Sequence, residues 1–62
     1  MSEWIELTSR TDRAKVWINM SVALSVHKDA GGSKIALPGR EIFVVESPET
    51  VMSRRLDAAR GD

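Results

Sequence analysis

Few side chains in this sequence could do chemistry, and none is spaced for it. His27 is the single histidine, with Ser25 two positions before it and Asp29 two after. A catalytic nucleophile needs a general base beside it and a third group that orients the base. Ser25 and Asp29 read instead as ordinary strand and turn residues, so His27 is predicted to be a solvent-facing strand histidine. One histidine and no cysteine cannot supply a zinc site. Gly31-Gly32-Ser33-Lys34 has the residue types of a phosphate loop. That loop needs Gly-x-x-x-x-Gly-Lys-Ser/Thr running into a helix. Here the glycines are adjacent and a strand-like run follows, so the segment reads as a hairpin turn. Glu41 and Glu46 flank the last strand-like run at an odd separation, which points them to opposite faces of a regular strand. The residues predict a protein that is not an enzyme and uses no cofactor or metal.

Two other sets suit binding. Arg54, Arg55 and Arg60, joined by Arg10, Arg13 and Lys15, could form a basic patch for nucleic acid. Yet 9 Lys and Arg are balanced by 9 Asp and Glu, and non-specific nucleic-acid binders are normally basic. The helix arginines also complement the negative end of a helix dipole. Nucleic-acid binding through Arg54, Arg55 and Arg60 is therefore the second reading. The first rests on Trp4 and Trp17. In Trp4-Ile5-Glu6-Leu7-Thr8 and in Val16-Trp17-Ile18, strand alternation puts the aliphatic residues on one face and tryptophan on the other. A tryptophan pair on a second face is the composition of an interaction hot spot. The competing reading is a sheet that curls so that both rings complete one small core.

The elements that must position these residues follow from period-two runs and turn chemistry. The first run, Trp4 to Thr8, ends at the polar turn Ser9–Asp12. The second spans about Arg13 to Asn19, with Ile5 opposite Val16 and Trp4 opposite Trp17. The third is Val22 to Lys28, the fourth Lys34 to Leu37, and the fifth Arg40 to Glu46. Asp29–Ser33 and Pro38-Gly39 are the turns between them. The fifth run is apolar on both faces at its centre, which predicts burial on both sides. Ser47, Pro48 and Glu49 then open a helix over about residues 47–60 as cap, first position and dipole partner. Its apolar stripe is Val51, Met52, Leu56 and Ala59, and Gly61 can end it. The fold class is mostly β: one small domain over residues 1–62, an antiparallel meander of about five strands, sheet or small barrel-like, closed by a short C-terminal helix. Neighbouring strands are predicted to pair in order. The helix would cover one sheet face. The other would carry Trp4 and Trp17 with Phe43 and Val45, or with Ile42 and Val44.

A chain of 62 residues buries only about 60% of its unfolded surface. Small folds usually add a disulfide, a metal or a second subunit. With no cysteine, oligomerisation is the staple that remains. Acidic residues stand near the start, where a signal peptide is basic. No run approaches the roughly 20 apolar residues of a membrane span. A soluble cytoplasmic homo-oligomer that binds itself, and another protein in addition, is the expectation. Protein-interface residues are Trp4, Trp17, Phe43 and Val45, with no membrane insertion. A further reading is a phage- or plasmid-like inhibitor that mimics a partner's strand and adds to its sheet.

Four segments also carry a resemblance: Ile5-Glu6-Leu7-Thr8, Val16-Trp17-Ile18-Asn19, Gly32-Ser33-Lys34-Ile35-Ala36-Leu37 and Val44-Val45-Glu46-Ser47-Pro48-Glu49-Thr50-Val51. In that order, over about Trp4 to Leu56, the chain resembles the small bacterial FlbD-type family linked to flagella and swarming motility. Glu46-Ser47-Pro48-Glu49 is the most specific piece. The chain departs from the family pattern at Ser9–Asp12, at Met20-Ser21 and at Ala23. The resemblance implies a regulatory or accessory role with a motility link, and no catalytic residues.

Overall fold

Period-two alternation buries one side of the first hairpin. Ile5 and Leu7 of β1 (Trp4–Thr8) and Ile18 of β2 (Lys15–Asn19) are buried. The computed structural model describes residues 3–60, which continue through β3 (Ser25–Asp29), β4 (Gly32–Leu37), β5 (Arg40–Val44) and the helix α1 (Pro48–Arg60). All named strand pairs are antiparallel. They form a two-stranded sheet, β1-β2, and a three-stranded sheet, β3-β4-β5, not closed into a barrel. The architecture is mostly β with one C-terminal helix, as the residue pattern implies.

Several details differ from the sequence reading. The first is the hairpin register. Ile5 faces Ile18, Glu6 faces Trp17 and Trp4 faces Asn19, two positions from the predicted pairing. The connection is longer than the Ser9–Asp12 turn. Ser9 N–H donates to the Ala14 carbonyl at 2.8 Å, Arg13 N–H to the Ser9 carbonyl at 2.9 Å, and Ala14 N–H to the Asp12 carboxylate at 3.1 Å. Arg13 takes φ 63° to close this loop. A shift of two leaves every side chain on its predicted face.

The second is the passage from β2 to β3. Val22, Ala23 and Leu24 lie in the connection after the Met20-Ser21 turn, and β3 begins at Ser25. The Asn19 carboxamide oxygen accepts the Ser21 N–H at 3.0 Å and the Ser21 hydroxyl at 2.7 Å. Such Asx turns redirect a chain sharply. β3 therefore leaves β2 and joins a separate sheet, so strands 2 and 3 do not pair in order.

The third is β5. Val44 alone in that strand is fully buried, while Ile42 and Phe43 are half-buried, so the predicted two-sided burial is partial. Past Val44 the chain crosses to β1. Val44 bridges Ser9, Val45 N–H donates to the Thr8 carbonyl at 3.0 Å, and Arg10 N–H donates to the Phe43 carbonyl at 2.9 Å. These bonds join the two sheets. Gly32 makes the crossing possible: a Cβ there would sit 2.0 Å from the Val44 carbonyl oxygen. β4 thus starts at Gly32, two residues earlier than predicted. Two-residue connections flank β4, with Gly31 at φ 76° and Gly39 at φ 79°. The second matches the positive φ of a type II turn after proline.

The core is Ile5, Leu7, Ile18, Met20, Ile35, Val44 and Val51. Among the described residues Ser33 is the buried polar side chain, and its hydroxyl donates to the Glu46 carbonyl at 2.7 Å. Helix α1 starts as predicted. Ser47 Oγ accepts the Thr50 N–H at 3.2 Å, with Pro48 in the first turn. Its buried face is the predicted one only in part, through Val51 and the half-buried Ala59. Val51 is buried and Ala58 half-buried, whereas Met52 and Leu56 are exposed. Arginines hold the helix instead. Arg54 donates to the Glu6 carbonyl at 3.0 Å, and Arg55 Nε donates to the Glu3 carboxylate at 3.1 Å. The predicted stop at Gly61 lies outside the described residues. No described helix is long and apolar enough to cross a membrane.

Candidate functional site

The face of the β1–β2 hairpin turned away from the core carries Trp4, Glu6 and Thr8 from one strand and Lys15, Trp17 and Asn19 from the other. Trp17 stands across from Glu6 and diagonal to Trp4. Diagonal neighbours on one face are about 7–8 Å apart, within reach for aromatic rings. Trp4 is 53% exposed and Trp17 63%, so neither ring completes the core. The curled-sheet alternative therefore does not describe this fold.

The pair borders two shallow grooves. One runs towards α1 and is lined by Trp4, Trp17, Glu6, Lys15, Arg54 and Asp57. The other is apolar and is lined by Trp4, Trp17, Val22, Leu37 and Ile42, with Arg40 at its rim. The structure brings Ile42 to the tryptophans, not Phe43. Phe43 has the opposite strand parity and lies beneath the Arg10 guanidinium, 4.9 Å from ring centroid to Cζ. Val45 is half-buried at the β5–β1 crossing and lines neither groove. Val22 and Leu37 were not legible as site residues. Val22 reads as a strand residue until the Asn19 turn is known, and Leu37 depends on where the Pro38-Gly39 turn carries the chain.

The basic set is dispersed. Arg54 donates to Glu46 at 3.3 Å as well as to Glu6, and Arg55 is paired with Glu3. Arg60 lies exposed at the far end of the helix. Arg10 serves the fold: it donates to the Ala30 carbonyl and to Asp29 at 3.1 Å, tying the first loop to the β3–β4 turn. That guanidinium, followed by the Ala30 N–H, holds the Asp29 carboxyl below its ordinary pKa.

His27 and Ser25 share the outer face of β3, and His27 Nε2 is 2.9 Å from Ser25 Oγ. The pair is a local contact that the sequence reading did not anticipate. Asp29, next on the same face, already accepts Arg10 and the Ala30 N–H, so it does not orient the imidazole. Among the described residues no three His, Asp or Glu side chains gather in a way that could hold a metal ion.

Glu46 opens the most specific motif in the chain, and its role is in the frame. Its side chain is 10% exposed, and both carboxylate oxygens accept the Thr8 N–H, at 3.0 and 3.1 Å. Burial pushes its pKa up, but the Thr8 hydrogen bonds and the Arg54 charge outweigh this and leave it lowered. The carboxylate clamps the β5–α1 junction to β1, at the far edge of the tryptophan hairpin.

No family model, curated protein or solved structure matches this chain.

Proposed function

We propose that this chain is a small non-enzymatic protein-binding module that self-associates, and that the Trp4–Trp17 face is its contact surface. One observation carries the reading: the two largest apolar side chains of a 62-residue protein stand more than half exposed on one side of a hairpin whose other side is core. Tryptophan is the residue most enriched at interface hot spots. The exposed parts of both rings amount to roughly 200–300 Å², or about 5–7 kcal/mol of apolar burial. Association itself costs about 4–15 kcal/mol. The rings alone therefore come close to balance, and Val22, Leu37 and Ile42 around them supply the rest of an adequate patch.

A regulatory or accessory role in the bacterial cytoplasm, of the kind the FlbD-type resemblance implies, suits such a module. A helix-arginine nucleic-acid surface is less well supported, since Arg54 and Arg55 already donate to Glu6, Glu46 and Glu3.

The test is Trp17→Ala, with circular dichroism for the fold and light scattering for the mass. The variant is expected to keep its spectrum, because Trp17 packs into no core, and to fall towards 6.9 kDa at concentrations where the parent is larger. An unchanged mass together with unchanged partner capture contradicts the assignment.

A further inference from the structure

We propose that two copies of this chain join antiparallel through the open edge of β2, so that their hairpins form one continuous four-stranded sheet with Trp17 at its two-fold centre. This rests on the self-association reading and specifies its geometry.

The backbone carries the argument. In an antiparallel pair, alternate residues turn their N–H and C=O towards the partner or away from it. Ser9 N–H donates to Ala14 and Met20 N–H to Glu3, each at 2.8 Å, which fixes the phase of the β1–β2 ladder. Val16 and Ile18 therefore face β1, and Lys15, Trp17 and Asn19 face outward. The sheet order gives β2 no second neighbour. Among the described residues, no turn or side-chain hydrogen bond reaches the outward N–H or C=O of Lys15 or Trp17. The Asn19 carbonyl accepts only a long bond, 3.3 Å, from Val22.

The far edge of β1 and the free edge of β3 are protected, and on the far side of β5 Arg10 takes the Phe43 carbonyl. On the far side of β1, Glu46 takes the Thr8 N–H, Val45 the Thr8 carbonyl and Arg54 the Glu6 carbonyl. The free edge of β3 carries Lys28 on the same side as Val26, which packs on the core. A charge so placed discourages strand addition. β2 has no such guard: after Lys15 it reads Val16, Trp17, Ile18, Asn19.

Register follows from pairing and charge. Centring the two-fold axis on Trp17 sets Lys15 opposite Asn19 of the second copy and Val16 opposite its Ile18. This is the one symmetric register that pairs all three outward residues of both strands, for about six backbone hydrogen bonds. It also keeps the one charge in β2 away from its own copy. The two Trp17 rings become a cross-strand aromatic pair, flanked at either end by a Trp4.

The chain has no cysteine, so single thiols report the geometry cleanly. Lys15→Cys and Asn19→Cys proteins are mixed, oxidised mildly and run without reductant. Positions 15 and 19 of opposite copies would lie about 5.5 Å apart between Cα atoms, within disulfide range. Two copies of position 15 would lie about 14 Å apart, out of range. The mixture is expected to cross-link at least about 10-fold faster than either variant alone. If Asn19→Cys loses its folded spectrum, a nitroxide label on Lys15→Cys carries the same test: the two labelled positions are expected about 14 Å apart between Cα atoms, close enough for spin–spin broadening, and a dimer without broadening overturns the geometry. A parent that self-associates by light scattering, with a mixture no faster than the single variants, overturns the edge geometry and leaves the self-association reading standing. A parent that stays monomeric at every concentration overturns both.

Discussion

Single residues explain more of this protein than its composition suggests, and Glu46 is the clearest case. The sequence marks Glu46-Ser47-Pro48-Glu49 as a distinctive motif and reads Glu46 as half of a poor carboxylate pair. Its actual work, accepting the Thr8 N–H with both oxygens, depends on a contact 38 positions away that no local pattern reveals. Because its folded pKa is lowered, the carboxylate contributes stability that is fully present above the unfolded value of about 4.3 and is lost as pH falls through the folded value. Glu46→Gln is expected to cost about 1–3 kcal/mol at neutral pH and to flatten the acid side of the stability profile. Denaturant midpoints from pH 7 down to pH 3 would check it, and a variant with the parent's acid profile would contradict it. Arg13 is a second case. Its side chain is exposed and its backbone sits at φ 63°, a conformation that costs a non-glycine residue about 1–2 kcal/mol. Arg13→Gly returns part of that against glycine's greater entropy when unfolded, so a thermal midpoint a few degrees higher is expected.

At the level of elements, strand existence was legible because alternation of Ile5 and Leu7, and of Val16 and Ile18, leaves no other satisfactory arrangement. Register was not, because it depends on an arginine adopting positive φ in the first loop. The β2–β3 separation was missed for a related reason: Asn19 reads as the end of a strand until its side chain is seen to hold Ser21. The helix start was fully legible in Ser47 and Pro48, and its buried face only in part, through Val51 and Ala59. Arg54 and Arg55 anchor to Glu6 and Glu3, so Val51 and Ala58 turn inward and Met52 and Leu56 turn out. Ser47→Ala is expected to lower stability by about 1 kcal/mol, read as a thermal midpoint roughly 4–8 °C lower. Gly32→Ala should cost more, at least about 3 kcal/mol, since its Cβ would overlap the Val44 carbonyl where the sheets join. Gly31→Ala meets no atoms and carries only the backbone penalty of φ 76°, about 1–2 kcal/mol. Chemical denaturation of both variants checks the order, and a Gly32→Ala protein as stable as Gly31→Ala would contradict the account of the crossing.

For the whole molecule, the sequence made one candidate functional feature visible, the tryptophan face, because strand parity alone sets it apart from the core. It could not name the companions. Ile42 joins the tryptophans and Phe43 does not, since Phe43 has the opposite parity and lies under Arg10. Nor could it tell which sheet edge is open, because that depends on Glu46, Val45 and Arg54 closing the far side of β1. The account makes this small β fold a recognition surface built on a clamped hairpin. Its central claim is that Trp17 becomes packed against another protein, beginning with the Trp17 of a second copy. The most direct measurement is tryptophan emission across a dilution series with the mass read alongside by light scattering. The account predicts a mass above 6.9 kDa at high concentration that falls on dilution, with emission shifting to the red as it falls. A monomer whose emission is already red and does not change on dilution would contradict the self-interface.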